Sequence, residues 1–175
     1  MSNVHQARTI ACLRPLAAGV ALAAGFVLVP QAASAATATD TIAVTATVQS
    51  ACTVVASPLA FGTYNPISAS NLDATTTLNV TCTQGTAYNV GLNAGGGAGA
   101  TTTVRKLTSS GHTLNYALYQ DTNRTINWGN AVGTDTVAGT AGAGAAAYTV
   151  YGRIAGSQNT NAGAYTDSVT VTVTY

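Results

Sequence analysis

Beyond residue 40 the chain alternates between apolar and polar positions with a period of two. Ile42, Val44, Ala46 and Val48 are separated by Ala43, Thr45 and Thr47. Leu78, Val80 and Cys82 alternate with Asn79 and Thr81, so Cys82 shares a face with two aliphatic residues and any disulfide it makes is expected in the core. The same pattern recurs at Tyr88, Val90 and Leu92, at Leu114, Tyr116 and Leu118, and at Tyr148, Val150, Gly152 and Ile154. It closes the sequence at Val169, Val171, Val173 and Tyr175, with Thr170, Thr172 and Thr174 opposite. Period two is the signature of half-buried strands, and no stretch of this region has helical periodicity. β-branched and aromatic residues fill these runs, as a pleated, half-buried surface favours.

Turn signals separate the runs: Asn65-Pro66, Gln84-Gly85, Gly95-Gly96-Gly97, Ser110-Gly111, Trp128-Gly129-Asn130 and Asn161-Ala162-Gly163. Many short strands so punctuated predict an all-β antiparallel sandwich or barrel. A disulfide between sheets suits the sandwich better than the barrel. Ala94–Ala100 and Ala138–Ala147 are rich in Gly and Ala and read as flexible surface loops. They lack the lysine-bearing spacing of a phosphate cradle.

The first residues follow a different logic. Arg8 and Arg14 precede an apolar run from Leu16 to Val29, then Pro30 and the small residues up to Ala36. A basic region, an apolar core and an A-x-A site predict a secretory signal peptide over residues 1–35, cleaved after Ala35. The apolar run of 14 residues is shorter than the roughly 20 that cross a bilayer. What remains has the cations Arg105, Lys106, Arg124 and Arg153 against five aspartates and no glutamate, a formal charge of −1. That balance makes no footprint for nucleic acid or an anionic membrane. The Arg105-Lys106 pair reads as solvated.

Cys52 and Cys82 remain after such processing, an even count that reads as a disulfide in an oxidising compartment. Zinc is the alternative, without a C-x-x-C or a histidine pair to support it. Closing a loop of about 30 residues is worth on the order of 3–4 kcal/mol in the chain-entropy model. For catalysis, His112 beside Ser109 and Ser110 is the one histidine left, and no G-x-S-x-G elbow accompanies it. The aspartates mostly adjoin turn residues, where they cap backbone rather than form a carboxylate pair. No catalytic or metal site and no cofactor is expected. Among the aromatics, Tyr88, Tyr116 and Tyr148 are in phase with core positions, and Trp128, beside a turn, is the candidate surface contact. The glycosylation-like triplets at Asn79 and Asn123 arise easily in a chain rich in Asn and Thr.

Two segments carry the functional reading. Residues 36–50 alternate cleanly and could line a sheet edge at about 3.3 Å per residue. At the other end, Tyr175 closes the sequence on an alternating strand. A sandwich whose first strand can leave and whose last strand is exposed can be completed by a neighbour, by strand addition between chains.

The chain also resembles the spore coat protein U domain family, which includes major subunits of archaic chaperone–usher pili. The likeness is carried by Ala51-Cys52-Thr53-Val54, by Leu59 to Pro66, by Leu78 to Cys82, by Leu114 to Asp121 leading to Arg124 and Trp128-Gly129, by Tyr148 to Ile154, and by Tyr165 to Tyr175. It implies an immunoglobulin-like fold lacking one strand, over residues 51–175, completed by donor-strand complementation. A periplasmic chaperone would supply that strand first, and residues 36–50 of the next subunit would then replace it. Ile42, Val44, Ala46 and Val48 are the implied donor side chains, with Ala46 smaller than the family leads one to expect. Val169, Val171, Val173 and Tyr175 would form the C-terminal strand of the acceptor groove. The implied partners are further copies of the chain in a head-to-tail polymer, the chaperone and an outer-membrane usher. The implied location is the cell surface, reached through the periplasm, with a role in adhesion and biofilm formation. The alternatives are a surface or coat protein that folds back on its own first strand, and a carbohydrate-binding adhesin.

Overall fold

The computed structural model describes residues 34–175, so the expected leader lies outside it except for its last two residues. The chain divides after Val44. Residues 34–44 are exposed and make no strand pairing.

Residues 45–175 carry eight strands: β1 (Cys52–Ala56), β2 (Leu72–Cys82), β3 (Ala87–Leu92), β4 (Arg105–Ser109), β5 (His112–Tyr119), β6 (Val137–Thr140), β7 (Ala146–Ile154) and β8 (Val171–Thr174). They form two sheets, one ordered β1-β2-β7-β5-β4 and the other β6-β3-β8, with every pairing antiparallel. The described residues contain no helix, and hence none long and apolar enough to cross a membrane. The expected all-β sandwich is what the alternation builds. Leu78 and Val80 of β2, Tyr88, Val90 and Leu92 of β3, Leu114, Tyr116 and Leu118 of β5, and Val150 and Ile154 of β7 are all buried in one core. Between them lie exposed Asn79, Thr81, Thr113 and Asn115. Each large aliphatic so buried contributes about 1.5–3 kcal/mol.

Local chemistry places the strands. β4 and β5 are joined by Ser110-Gly111 alone, with φ of 46° and 84°. Two successive positive φ angles give the turn whose twist matches a hairpin, and glycine takes the second without strain.

Several expectations are corrected. Cys52 and Cys82 are joined, but they are direct cross-strand partners in β1 and β2, so the disulfide lies within one sheet rather than between two, and both cysteines are only half-buried at the sheet edge. The supposed loop Ala138–Ala147 contributes its first three residues to β6 and its last two to β7, leaving 141–145 as the connection. Small side chains suit β6 because Gly139 lies over the paired hydroxyls of Tyr88 and Tyr148, which are 2.8 Å apart. Burial, and then that hydrogen bond, push the Tyr148 phenol up to about 12.

Ala94–Ala100 is a loop, but a specified one. Asn93 Oδ1 accepts from Gly95 N at 3.0 Å, Asp167 Oδ1 from Gly96 N at 2.7 Å, and Lys106 Nζ donates to Ala98 O at 3.1 Å. Arg105 is the largest departure from the sequence reading. It is 0% exposed, and its guanidinium donates to four main-chain oxygens, those of Asn93 (2.8 Å), Thr102 (2.6 Å), Leu92 (2.9 Å) and Trp128 (2.7 Å). Burial lowers its pKa, with Tyr116, Asp167 and Asp135 opposing that shift.

Candidate functional site

Among the described residues the sheets end in four edge strands, β1 and β4 in one and β6 and β8 in the other. β1 bonds only to β2, and β8 only to β3. Alternation gives β8 one apolar face: Val169, Val171 and Val173 are half-buried and pack on the core, while Thr170, Thr172 and Thr174 are exposed. Tyr175, after the last β8 residue, is 59% exposed.

Next to these edges the core is open. A cleft of about 250 Å³ is lined by Ala56–Leu59 and Phe61, by Leu78, Leu92, Leu118 and Val150, and by Asp167–Val169 and Val171. A second lobe of about 580 Å³ continues from it between the irregular segments 59–64 and 160–165, floored by Leu114 and Ile154. Leu59, Phe61 and Leu107 line both lobes. Leu59 and Phe61 alternate inward after Pro58 and lie on β7 at Gly152. A Cβ there would come within 2.8 Å of both side chains, which is why that position has none. Phe61 also meets the Tyr116 ring edge-on at 5.9 Å.

The wall of the smaller lobe carries one charged group. Asp167 accepts from the Tyr116 hydroxyl at 2.7 Å and from Gly96 N and Ser168 N at 2.7 Å each. Burial and then this hydrogen bond hold the Tyr116 phenol well above its ordinary range. Thr166 meanwhile bonds β4 through Thr108, with Thr108 N donating to Thr166 O at 2.9 Å. The chain therefore leaves the edge of one sheet at Thr166, is pinned at Asp167, and enters the other as β8.

Of the expected donor residues, Ile42, Val44 and Val48 are 89%, 88% and 83% exposed, and Ala46 is exposed too. Aliphatic side chains so fully solvated are an open liability. Immediately after them the backbone joins the sheet. Ala51 N donates to Thr83 Oγ1 at 3.1 Å, Thr83 N donates to Ala51 O at 2.9 Å, and Thr83 Oγ1 donates to Gln49 O at 3.3 Å.

Other candidates resolve differently. Trp128 is not a surface contact: it is 1% exposed, its Nε1 donates to Val90 O at 2.9 Å, and its ring stands edge-on to Tyr148. His112 is exposed beside the Ser110-Gly111 turn. Asp121 caps its own loop, accepting hydrogen bonds from Ile126 N and Thr125 N, which hold its carboxyl below the usual range. Asp73 is paired across strands with Arg153 (2.7 Å), with Arg124 at 3.3 Å, and the Arg153 hydrogen bond lowers its pKa most. The sequence reading missed Leu59, Phe61, Leu107 and Asp167 as cleft residues. Only Leu59 and Phe61 had a signal, their period-two spacing between Pro58 and Gly62.

The Spore Coat Protein U domain matches residues 38–172. The chain belongs to that family. Protein U of Myxococcus xanthus, a relative of the Spore Coat Protein U chain described here, is 34% identical over 158 residues, covering 82% of this chain and 88% of that protein. The Spore Coat Protein U fold is also similar to a chain in the crystal structure of the CsuC–CsuE chaperone–tip adhesion subunit pre-assembly complex from archaic chaperone–usher Csu pili of Acinetobacter baumannii. That match has a TM-score of 0.56 and 23% identity, covering 74% of this chain but only 40% of that one. A likeness at this identity establishes the fold.

Proposed function

We propose that this protein is a structural subunit of a surface pilus, assembled by a chaperone–usher pathway through donor-strand exchange. The carrying observation is the pairing of two complementary incomplete parts. One is an apolar cleft flanked by the unpaired edges of β1 and β8. The other is an exposed segment whose aliphatic residues fall on one face. In this reading residues 1–35 are removed on export, residues 36–50 are donated to a neighbour, and residues 51–175 accept a strand from the next copy. A periplasmic chaperone fills the cleft until then, an outer-membrane usher carries the subunit outward, and the fibre serves adhesion and biofilm formation. Burying Ile42, Val44 and Val48 would contribute roughly 5–9 kcal/mol before entropy costs. The added backbone pairing would remove two edges that otherwise invite aggregation.

One local feature speaks against a chain that completes itself. To lie beside its own β1, the donor would have to reverse direction between Val48 and Cys52. That stretch has neither Gly nor Pro, and its backbone continues the β1–β2 ladder through Ala51 and Gln49. A reversal would break those bonds.

Deleting residues 36–49 should leave a subunit that binds its chaperone yet forms no fibres by electron microscopy. Ile42→Asp or Val44→Asp should act similarly, because a buried unpaired carboxylate costs several kcal/mol. Thr45→Asp, on the opposite face, should be mild. A deletion variant that is a stable monomer without chaperone would show that the sandwich was already complete, and would overturn the proposal.

A further inference from the structure

The cleft is not uniform along its length. Its two lobes meet at a waist where Leu59, Phe61 and Leu107 line both. This waist has no depth to give. Phe61 rests on the backbone of β7 at Gly152, whose hypothetical Cβ would lie 2.8 Å from Phe61 Cζ, and its ring abuts Tyr116 at 5.9 Å. Moving Phe61 inward would require moving a central strand.

A strand crossing the cleft turns every second side chain toward it, at intervals of about 6.6–6.8 Å. The exposed segment offers, in order, Ile42, Val44, Ala46 and Val48: large, large, small, large. The single small residue matches the single constriction. We propose that Ala46 of one copy seats against Phe61 of the next, with Val44 and Val48 falling into the two lobes on either side of the waist. This pairing fixes the register of the inserted strand, and it rests on the donor-strand reading above.

An alternating strand needs such a device. Sliding by one residue is forbidden because it turns every apolar side chain outward, but sliding by two keeps the apolar face inward. Here a two-residue slip in either direction brings a valine to the waist. The strand must then stand off from the edges of β1 and β8 or displace Phe61, and a packed interior tolerates neither well. Ala46 is therefore a register-determining residue rather than a weak contact.

Every copy is both donor and acceptor, so fibres of a single variant report the pairing. Ala46→Leu should reduce fibre yield at least tenfold, and Ala46→Leu combined with Phe61→Ala should restore fibres. Ala46→Leu fibres with wild-type yield and heat resistance would overturn the proposal. Because Phe61→Ala could fail to fold, a second measurement stands apart from it. Cysteines placed together at positions 46 and 61 should cross-link successive subunits into a reductant-sensitive ladder, whereas cysteines at 44 and 61 or at 48 and 61 should not. A ladder stronger from either of the latter pairs would refute the register. Failure of the underlying reading looks different. Intact fibres from Ile42→Asp would remove donor exchange altogether, while fibre loss in Ile42→Asp beside normal Ala46→Leu fibres would remove only the waist.

Discussion

Arg105 stands where the ends of β3, β4 and the Trp128 segment converge, and its planar fork bonds all of them at once. Leu92, Asn93, Thr102 and Trp128 present carbonyls that the two sheets leave without strand partners at this junction. A lysine has the charge but a single point of donation, so it cannot span four acceptors held in different directions. Arg105→Lys should therefore destabilise the oxidised chain by about 3–5 kcal/mol, since buried groups lose their partners. Lys106→Met, which removes a half-buried lysine and its one hydrogen bond to Ala98 O, should cost less, about 0.5–1.5 kcal/mol. Equilibrium denaturation of both variants tests the contrast. Sequence could not separate the two neighbours. Two adjacent cations look alike until the hairpin is formed, when strand alternation sends one side chain inward and the other out. Trp128 was hidden for a similar reason: its place beside a turn says nothing of the Val90 carbonyl that accepts its indole hydrogen bond.

Among the elements, β2, β3, β5 and β7 were legible because each has three apolar residues in alternation, and β8 because Val171 and Val173 continue the alternation of Val169. β4 and β6 were not. Arg105-Lys106 opens β4 with charges, and β6 is built from Val137, Ala138, Gly139 and Thr140, where the Tyr88–Tyr148 pair beneath demands small residues rather than a strong strand pattern. The cysteine pairing was readable, but its location was not, because β1 is too short for its alternation to reveal which strand it joins. With Cys52 opposite Cys82, the disulfide clamps the end of the β1–β2 ladder. That end is where an edge strand frays, while the other end of β1, Ala56, reaches the wall of the cleft. Cys82→Ala should thus do more than lower stability by the roughly 2–5 kcal/mol usual for a native disulfide in a small secreted domain. It should also loosen β1, read as faster amide exchange at Thr53 and Val54 than at Val150 on the central β7.

At the scale of the whole molecule, residues 36–50 are, in the proposed reading, the strand that fills the open cleft beside β1 and β8. Moving it to the other end should close the fold. A copy of residues 40–50 placed after Tyr175 through a flexible linker, with residues 36–49 removed, should yield a soluble monomer that melts at a markedly higher temperature than the acceptor alone. Size-exclusion chromatography and thermal melts check this, and a product that still aggregates would count against the cleft as the strand's seat. The same geometry has a mechanical consequence. In a fibre built by such exchange, tension arrives through the donor segment and reaches each subunit at Ala51. The next residue, Cys52, is covalently tied to Cys82 at the end of β2, which is itself paired to β7 along nine residues. A pull on the fibre therefore bypasses the five-residue β1, the strand most easily peeled. The load passes straight into the middle of the larger sheet, where many hydrogen bonds share it in shear. The staple at the sheet edge is a load coupling, and reducing it should leave a fibre that assembles at rest but ruptures under stretching.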